Sequence, residues 1–208
     1  MLRDKDIREP LFEFLESQIT KVRIIEEKQI GKTRADVVMI TENAIWGIEI
    51  KSDADTFTRL ERQVKDYNRF FDYNVAAVGC SHAMHIEEHL PDWWGIITID
   101  EEESGTTFYW LRRPQPNPKR EKKIKLRNQL SFLWRPELAH IQEVNHLPKY
   151  RQKSKDFIVK YLIETIDHEE LKKQICQELF ERDYTTISRV LEEYRQEHRK
   201  PPGKKRKR

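Results

Sequence analysis

The segment from Arg34 to Lys51 constrains the fold of this chain more than any other. Arg34 to Ile40 and Ala44 to Lys51 read as two strands of one hairpin, with Glu42-Asn43 as a two-residue turn. A turn of that length sets the register. It places Asp36 opposite Glu49 and Arg34 opposite Lys51. Residues two apart on a strand share a face, so Glu49 and Lys51 point one way, and Trp46, Ile48 and Ile50 point the other way, towards a core. Like charges directly opposite one another are destabilising, and something should offset the Asp36–Glu49 repulsion. A divalent cation between the carboxylates would do so, and hard oxygen donors suit magnesium or manganese. Lys51 adds a positive charge at the same edge, able to orient a water or to stabilise charge on a phosphate. Two acids, a metal and a lysine on one small patch meet the requirement for metal-assisted phosphodiester hydrolysis.

The remaining elements follow from periodicity. Ile7, Leu11, Phe14, Leu15 and Ile19 form one apolar stripe of a helix starting near Asp6. Pro10 fits only a first turn, which argues for a later start. A strand from Val22 to Ile30 comes next, and Gly31-Lys32-Thr33 turns the chain into the hairpin. A helix from Thr56 to Phe71, a buried strand at Val75–Gly79, a helical stretch from His82 to His89, a strand at Gly95–Ile99 and an edge strand at Thr106–Leu111 complete the first part. The order is that of a mixed α/β sandwich of the α+β type, not of a regularly alternating barrel. Three prolines between Arg113 and Lys119 read as a linker. Beyond it the pattern is helical only, with Ser154 as a helix cap ahead of Phe157, Ile158, Tyr161 and Leu162, and a further helix carrying Leu171, Ile175, Leu179 and Phe180. The expected division is a core domain over residues 1–112, a basic proline-rich linker over 113–127, a helical region over 128–199 and a basic disordered tail over 200–208.

Charge enters through its distribution. The net charge is only +3, yet Arg112 to Arg127 holds eight Lys or Arg against one acid, and Lys200 to Arg208 holds six against none. Such blocks meet polyanions or stay solvated. Cys80 and Cys176 are too few for a disulfide scaffold. The charged N-terminus lacks a signal core, and no apolar run reaches membrane-spanning length, so a cytoplasmic protein without membrane association is expected.

Asp36 followed by Glu49-Ile50-Lys51 resembles the motif of the PD-(D/E)XK nuclease superfamily, with Ala35 in place of the usual proline. The resemblance spans Asp6 to Ile99. Arg34-Ala35-Asp36-Val37, Gly47-Ile48-Glu49-Ile50-Lys51-Ser52-Asp53 and Trp134-Arg135-Pro136-Glu137-Leu138 also look like a small bacterial restriction-endonuclease-like family. The resemblance implies a restriction-endonuclease-like core, a central mixed sheet flanked by helices, with a C-terminal helical appendage. It implies a magnesium- or manganese-dependent DNA nuclease of repair, restriction or defence, and it leaves a homodimer open. Asp36 and Glu49 would bind the metal with the Ile50 carbonyl, and Lys51 would serve the water or the transition state. Gln63 and Tyr67 resemble the Gln-x-x-x-Tyr signature of RecB-like nucleases, and their spacing puts both on one helical face. A further glutamate would come from Glu9, Glu13, Glu16 or Glu27.

Each of these readings has a plainer rival. An E-x-K on its own is often a solvated strand edge, and Gln63 and Tyr67 could be a polar helix face. Cys80, His82, His85 and His89 have spacings compatible with zinc, but histidines on such a helix are ordinarily solvated. Trp93-Trp94 reads as packing, and Asp53 and Asp55 as a loop and helix cap. The rival function is a non-catalytic nucleic-acid-binding or assembly module with the same fold.

Overall fold

The computed structural model describes residues 4–53, 55–102, 105–118 and 122–182. The apolar stripe of the first helix, α1 (Asp4–Gln18), buries Ile7, Leu11 and Leu15. Each such side chain contributes about 1.5–3 kcal/mol when fully buried. α1 begins earlier than Pro10 allows by propensity, and Pro10 lies inside it. Proline has no N–H to give to the helical ladder, at a cost of about 3 kcal/mol, and burial of the stripe on both sides of it offsets that cost.

Three strands follow: β1 (Arg23–Ile30), β2 (Thr33–Ile40) and β3 (Ile45–Lys51). The Thr41 N–H donates to the Ala44 carbonyl at 2.9 Å, closing the turn at Glu42-Asn43. The β2–β3 register runs from Ile40↔Ile45 to Val37↔Ile48, in step with the pairing expected from that turn. A 3-10 turn at Phe57–Arg59 leads into α2 (Leu60–Phe70). β4 (Tyr73–Gly79), a short α3 (Cys80–Ala83), a 3-10 turn at Ile86–His89, β5 (Gly95–Glu102) and β6 (Gly105–Arg112) complete the sheet.

The six strands lie in sequence order, with β3–β4 and β4–β5 parallel and the other pairs antiparallel. The fold is thus α+β, a mixed six-stranded sheet flanked by helices. Both faces of the sheet are covered. α1 packs with Val37, Met39, Ile48, Ile50, Val75, Ala77, Ile97 and Ile99 on one face. α2 packs with Val38, Ile40, Ile45, Ala76 and Val78 on the other. Two-sided burial explains the unbroken apolar run of β4. Gly47 is required by packing: a Cβ there would fall 2.1 Å from a Phe71 ring carbon.

The C-terminal helices are α4 (Lys122–Leu130), α5 (Arg135–Val144), α6 (Lys155–Thr165) and α7 (His168–Glu181). Ser154 caps α6, accepting from the Phe157 N–H at 3.1 Å. Leu126, Leu130, Leu138, Leu162 and Ile175 join the hydrophobic cluster that contains Leu60, Val64 and Phe70 of α2. The segment expected as a linker differs in detail. Residues 122–127 are helical, and Leu126 is buried. The Gln115 N–H bonds the Trp93 carbonyl, and the Asn117 side chain bonds the Asn68 carbonyl. The basic residues masked an apolar i, i+4 pair, Leu126 and Leu130, that anchors the segment. The tail over 200–208 lies outside the described residues, as do residues 183–199. Among the described residues no helix is long and apolar enough to cross a membrane.

Candidate functional site

β2 and β3 stop pairing beyond Val37↔Ile48, so the expected cross-strand pairs Asp36–Glu49 and Arg34–Lys51 do not form, and a site opens at that fork. There the Asp36 carboxylate replaces the backbone ladder, with Oδ2 accepting from the Ile50 N–H at 2.9 Å. Glu49 and Lys51 share the strand face turned towards α2 and are only 1% and 5% exposed. They are not a solvated edge, because α2 lies across them.

α2 brings Gln63 and Tyr67 to the same place, one turn apart. Lys51 Nζ lies 2.9 Å from Glu49 Oε1 and donates to Gln63 Oε1 at 3.2 Å. The Gln63 amide in turn donates to Glu49 Oε1. The Tyr67 hydroxyl donates to Glu49 Oε2 at 2.7 Å and accepts from the Asp36 N–H at 3.3 Å. Burial, then the charges of Glu49 and Asp36, push the Tyr67 phenol well above its usual pKa, so it stays a neutral donor. The side chains of Glu49, Lys51, Gln63 and Tyr67 therefore meet in one network, which Asp36 joins through its backbone N–H. The charge of Glu49 is offset within the protein by Lys51, Gln63 and Tyr67, so repulsion alone does not demand a metal.

Asp36, Glu49, Lys51 and Gln63 form the floor of a cleft of about 640 Å³, with Tyr67 buried behind them. Its lining carries six cationic side chains, Arg8, Lys32, Arg34, Lys51, Arg59 and Arg62, against four acids, Glu27, Asp36, Glu49 and Asp55. Lys32, Arg34, Arg59 and Arg62 are exposed at its rim, an arrangement that favours a polyanion. Asp55 is a loop cap, accepting from the Ser52 N–H and hydroxyl at 2.9 and 2.8 Å.

Of the four candidate glutamates, Glu27 alone lines this cleft, while Glu9, Glu13 and Glu16 are exposed on α1. Glu27 has a φ of 53°, a left-handed value shared among the described non-glycine residues only with His146. That conformation costs about 1–2 kcal/mol for a residue with a Cβ. Its effect on the sheet is visible. Ala35 and Val38, three apart, both join the α2-side cluster, so the alternation of β2 slips at Asp36. Opposite, Ile25 packs against that cluster and Lys28 lies over its Phe132 ring, so β1 slips at Glu27. Arg8 of α1 reaches the same point, donating to Glu26 Oε2 at 3.0 Å and to the Asp36 carbonyl at 3.4 Å. Arg8, Arg59 and Arg62 were not singled out from the sequence. Helical phase relative to Ile7 and Leu60 marks them as neighbours of a buried stripe, but not as members of one site.

The structure does not draw the cysteine–histidine group together. Among the described residues no group of three or more His, Cys, Asp and Glu side chains is arranged to hold an ion. The Cys80 thiol is pushed up to about 11, first by its hydrogen bond to Asp100. His82 and His89 instead lie against the Phe57 ring, with centroids 4.8 and 4.6 Å away. Trp94 is buried and donates to Asn68 Oδ1 at 2.9 Å, a packing role.

A family model described as bacteriophage P4 protein cII matches residues 1–202. The chain belongs to that family. No curated protein matches this family member. Among solved structures, SfsA of Pyrococcus furiosus in complex with Ca2+ is 15% identical, with a TM-score of 0.33, over 50% of this chain and 59% of that chain. The cII-family chain thus spans little more than half of that solved chain.

Proposed function

We propose that this chain is a metal-dependent nuclease of the PD-(D/E)XK type that hydrolyses phosphodiester bonds in DNA. The observation that carries the reading is the meeting of Asp36, Glu49, Lys51 and Gln63 at the floor of a cation-rimmed cleft, with the buried Tyr67 behind them bonded to Glu49. The donor set fits a hard divalent ion. Asp36 and Glu49 offer carboxylate oxygens, and Ile50, which also lines the cleft, offers its carbonyl. A bound magnesium or manganese ion would supply Lewis-acid polarisation and a nucleophilic water.

The protein's own groups do the rest. Tyr67 and Gln63 fix the Glu49 carboxylate from both oxygens, so it is held in place before substrate arrives. Asp36 is oriented by the Ile50 N–H. Lys51 Nζ presents a charge that a phosphate oxygen can share as negative charge grows on it. The rim arginines and Lys32 hold the backbone by phosphate contacts, which position a nucleic acid without reading its sequence.

A second reading is a non-catalytic nucleic-acid-binding module, favoured by the engagement of both Glu49 oxygens by protein partners. One experiment separates the two. Supercoiled, linear and single-stranded DNA are incubated with the full chain, with and without magnesium or manganese, beside Glu49→Gln. The nuclease reading expects metal-dependent cleavage that Glu49→Gln abolishes. DNA binding without cleavage of any form in either metal would support the module instead.

A further inference from the structure

Beside the catalytic network, the cleft holds a second constellation. The Glu27 carboxylate spans two guanidinium groups, with Oε2 lying 3.0 Å from Arg34 Nη1 and Oε1 3.8 Å from Arg8 Nη2. The three side chains come from β1, β2 and α1. Arg8 is 14% exposed, whereas Glu27 and Arg34 are 50% and 58% exposed. The arginine on the helix is therefore held, and the carboxylate can swing into solvent.

We propose that Arg8 and Arg34 form a seat for one phosphodiester group of the nucleic acid, and that Glu27 fills that seat in the ligand-free protein. The assignment deepens the nuclease reading and rests on it for the class of ligand. A guanidinium pair matches phosphate oxygens as it matches carboxylate oxygens, by charge-assisted hydrogen bonds of the same geometry. The plainer explanation is an ordinary diagonal ion pair, since Arg34 faces Gln29, two residues along β1 from Glu27. That explanation leaves the backbone unaccounted for. Glu27 adopts its positive φ in mid-strand, a conformation that an ion pair does not by itself require. The register also sets Glu27 beside Asp36, between the pairs Glu26↔Val37 and Lys28↔Ala35. The unusual backbone thus carries an acid into a cleft that already holds Asp36 and Glu49. Arg34 holds it there at 3.0 Å, and Arg8, itself paired with Glu26 at 3.0 Å, lies 3.8 Å away. A phosphate entering the seat displaces Glu27 from Arg34 and meets Arg8 Nη2, while Arg8 Nη1 stays on Glu26.

The test is equilibrium binding of a short labelled DNA duplex to the full chain in EDTA, where no cleavage occurs. Wild type, Glu27→Gln, Arg34→Ala and the double variant are compared at two salt concentrations. Glu27→Gln should bind about tenfold tighter, because the competing anion is gone. Arg34→Ala should bind about tenfold weaker, with the salt slope smaller by ~0.9 because one fewer phosphate is neutralised. In the Arg34→Ala background, Glu27→Gln should recover about twofold or less, because the seat it vacates is already broken. Equal gains in both backgrounds would mean simple charge repulsion and would overturn the seat. So would unchanged binding by Glu27→Gln, or no binding by any of the four proteins. Matching melting temperatures for wild type and Glu27→Gln establish that the fold is intact. The binding pattern without cleavage in magnesium would sink the nuclease reading alone. Cleavage with equal wild-type and Glu27→Gln binding would sink the seat alone.

Discussion

Among the described residues two acid–base pairs are buried, and they differ in what surrounds them. Glu137 and Arg182 lie among the C-terminal helices. Arg182 Nε is 2.6 Å from Glu137 Oε1, and its Nη2 donates to Glu137 Oε2 at 2.8 Å and to the Phe132 carbonyl at 2.9 Å. The Trp134 N–H also donates to Oε2, and the Trp134 ring lies 4.5 Å from the guanidinium. Burial, with the Arg182 charge adding to it, holds the neighbouring Lys28 below the usual lysine pKa. Glu49 and Lys51 are buried as deeply, but they line a cleft with charged residues at its rim. One pair is enclosed by ring and backbone, and the other opens onto a space that a ligand can enter. Burial of charge therefore does not by itself mark function. What distinguishes the second pair is access, together with a further acid, Asp36, at the same floor.

Four variants put that difference at risk. Glu137→Ala leaves Arg182 buried without its carboxylate and should cost about 3–5 kcal/mol of stability. A urea melt checks it, and activity per folded molecule should not change. Lys51→Ala leaves Glu49 its Gln63 and Tyr67 donors, so it should keep the fold at a smaller cost in stability while reducing the cleavage rate by on the order of a hundredfold or more. Full activity in folded Lys51→Ala would remove the lysine from the chemistry. Tyr67→Phe removes a buried hydroxyl and leaves Glu49 Oε2 and the Asp36 N–H without it, so a loss of about 1–3 kcal/mol is expected, together with reduced activity. A Tyr67→Phe protein as stable as wild type would show that the hydroxyl network is not rigid. The smallest effect belongs to the basic segment Pro201–Arg208, outside the described residues. Its deletion should weaken DNA binding a few-fold and flatten its salt dependence, with no change in melting temperature. An unchanged salt slope would mean the tail makes no phosphate contact.

The hairpin was legible because strand alternation and a two-residue turn leave little freedom: Val37↔Ile48 is the pair that the turn at Glu42-Asn43 requires. Gln63 and Tyr67 were legible through their resemblance to the Gln-x-x-x-Tyr signature, and their spacing showed only that they share a helical face. The depth of Glu49 and Lys51 was not, because it depends on how α2 lies over the sheet. The choice among the glutamates was also hidden. Left-handed backbone is signalled by Gly or Asn, and Glu27 carries no such signal. Arg8 was hidden for a third reason: a polar residue beside a helical stripe acquires a partner only from the tertiary fold. Across 113–127 prolines and lysines dominate the composition and hide Leu126, which pairs with Leu130 just beyond the segment.

The central proposal is that Asp36 and Glu49 jointly hold a divalent ion. Thermal melts of wild type and Asp36→Asn, each in EDTA and in magnesium, test it most directly. An ion that binds only the folded state raises its stability by mass action, by about 2.7 kcal/mol at a hundredfold excess over Kd. The asparagine can still accept from the Ile50 N–H through its amide oxygen, so the fork should keep its shape while losing a ligand charge. Magnesium should raise the melting temperature of wild type and leave that of Asp36→Asn where EDTA puts it. Identical magnesium responses in the two proteins would contradict a shared two-carboxylate site.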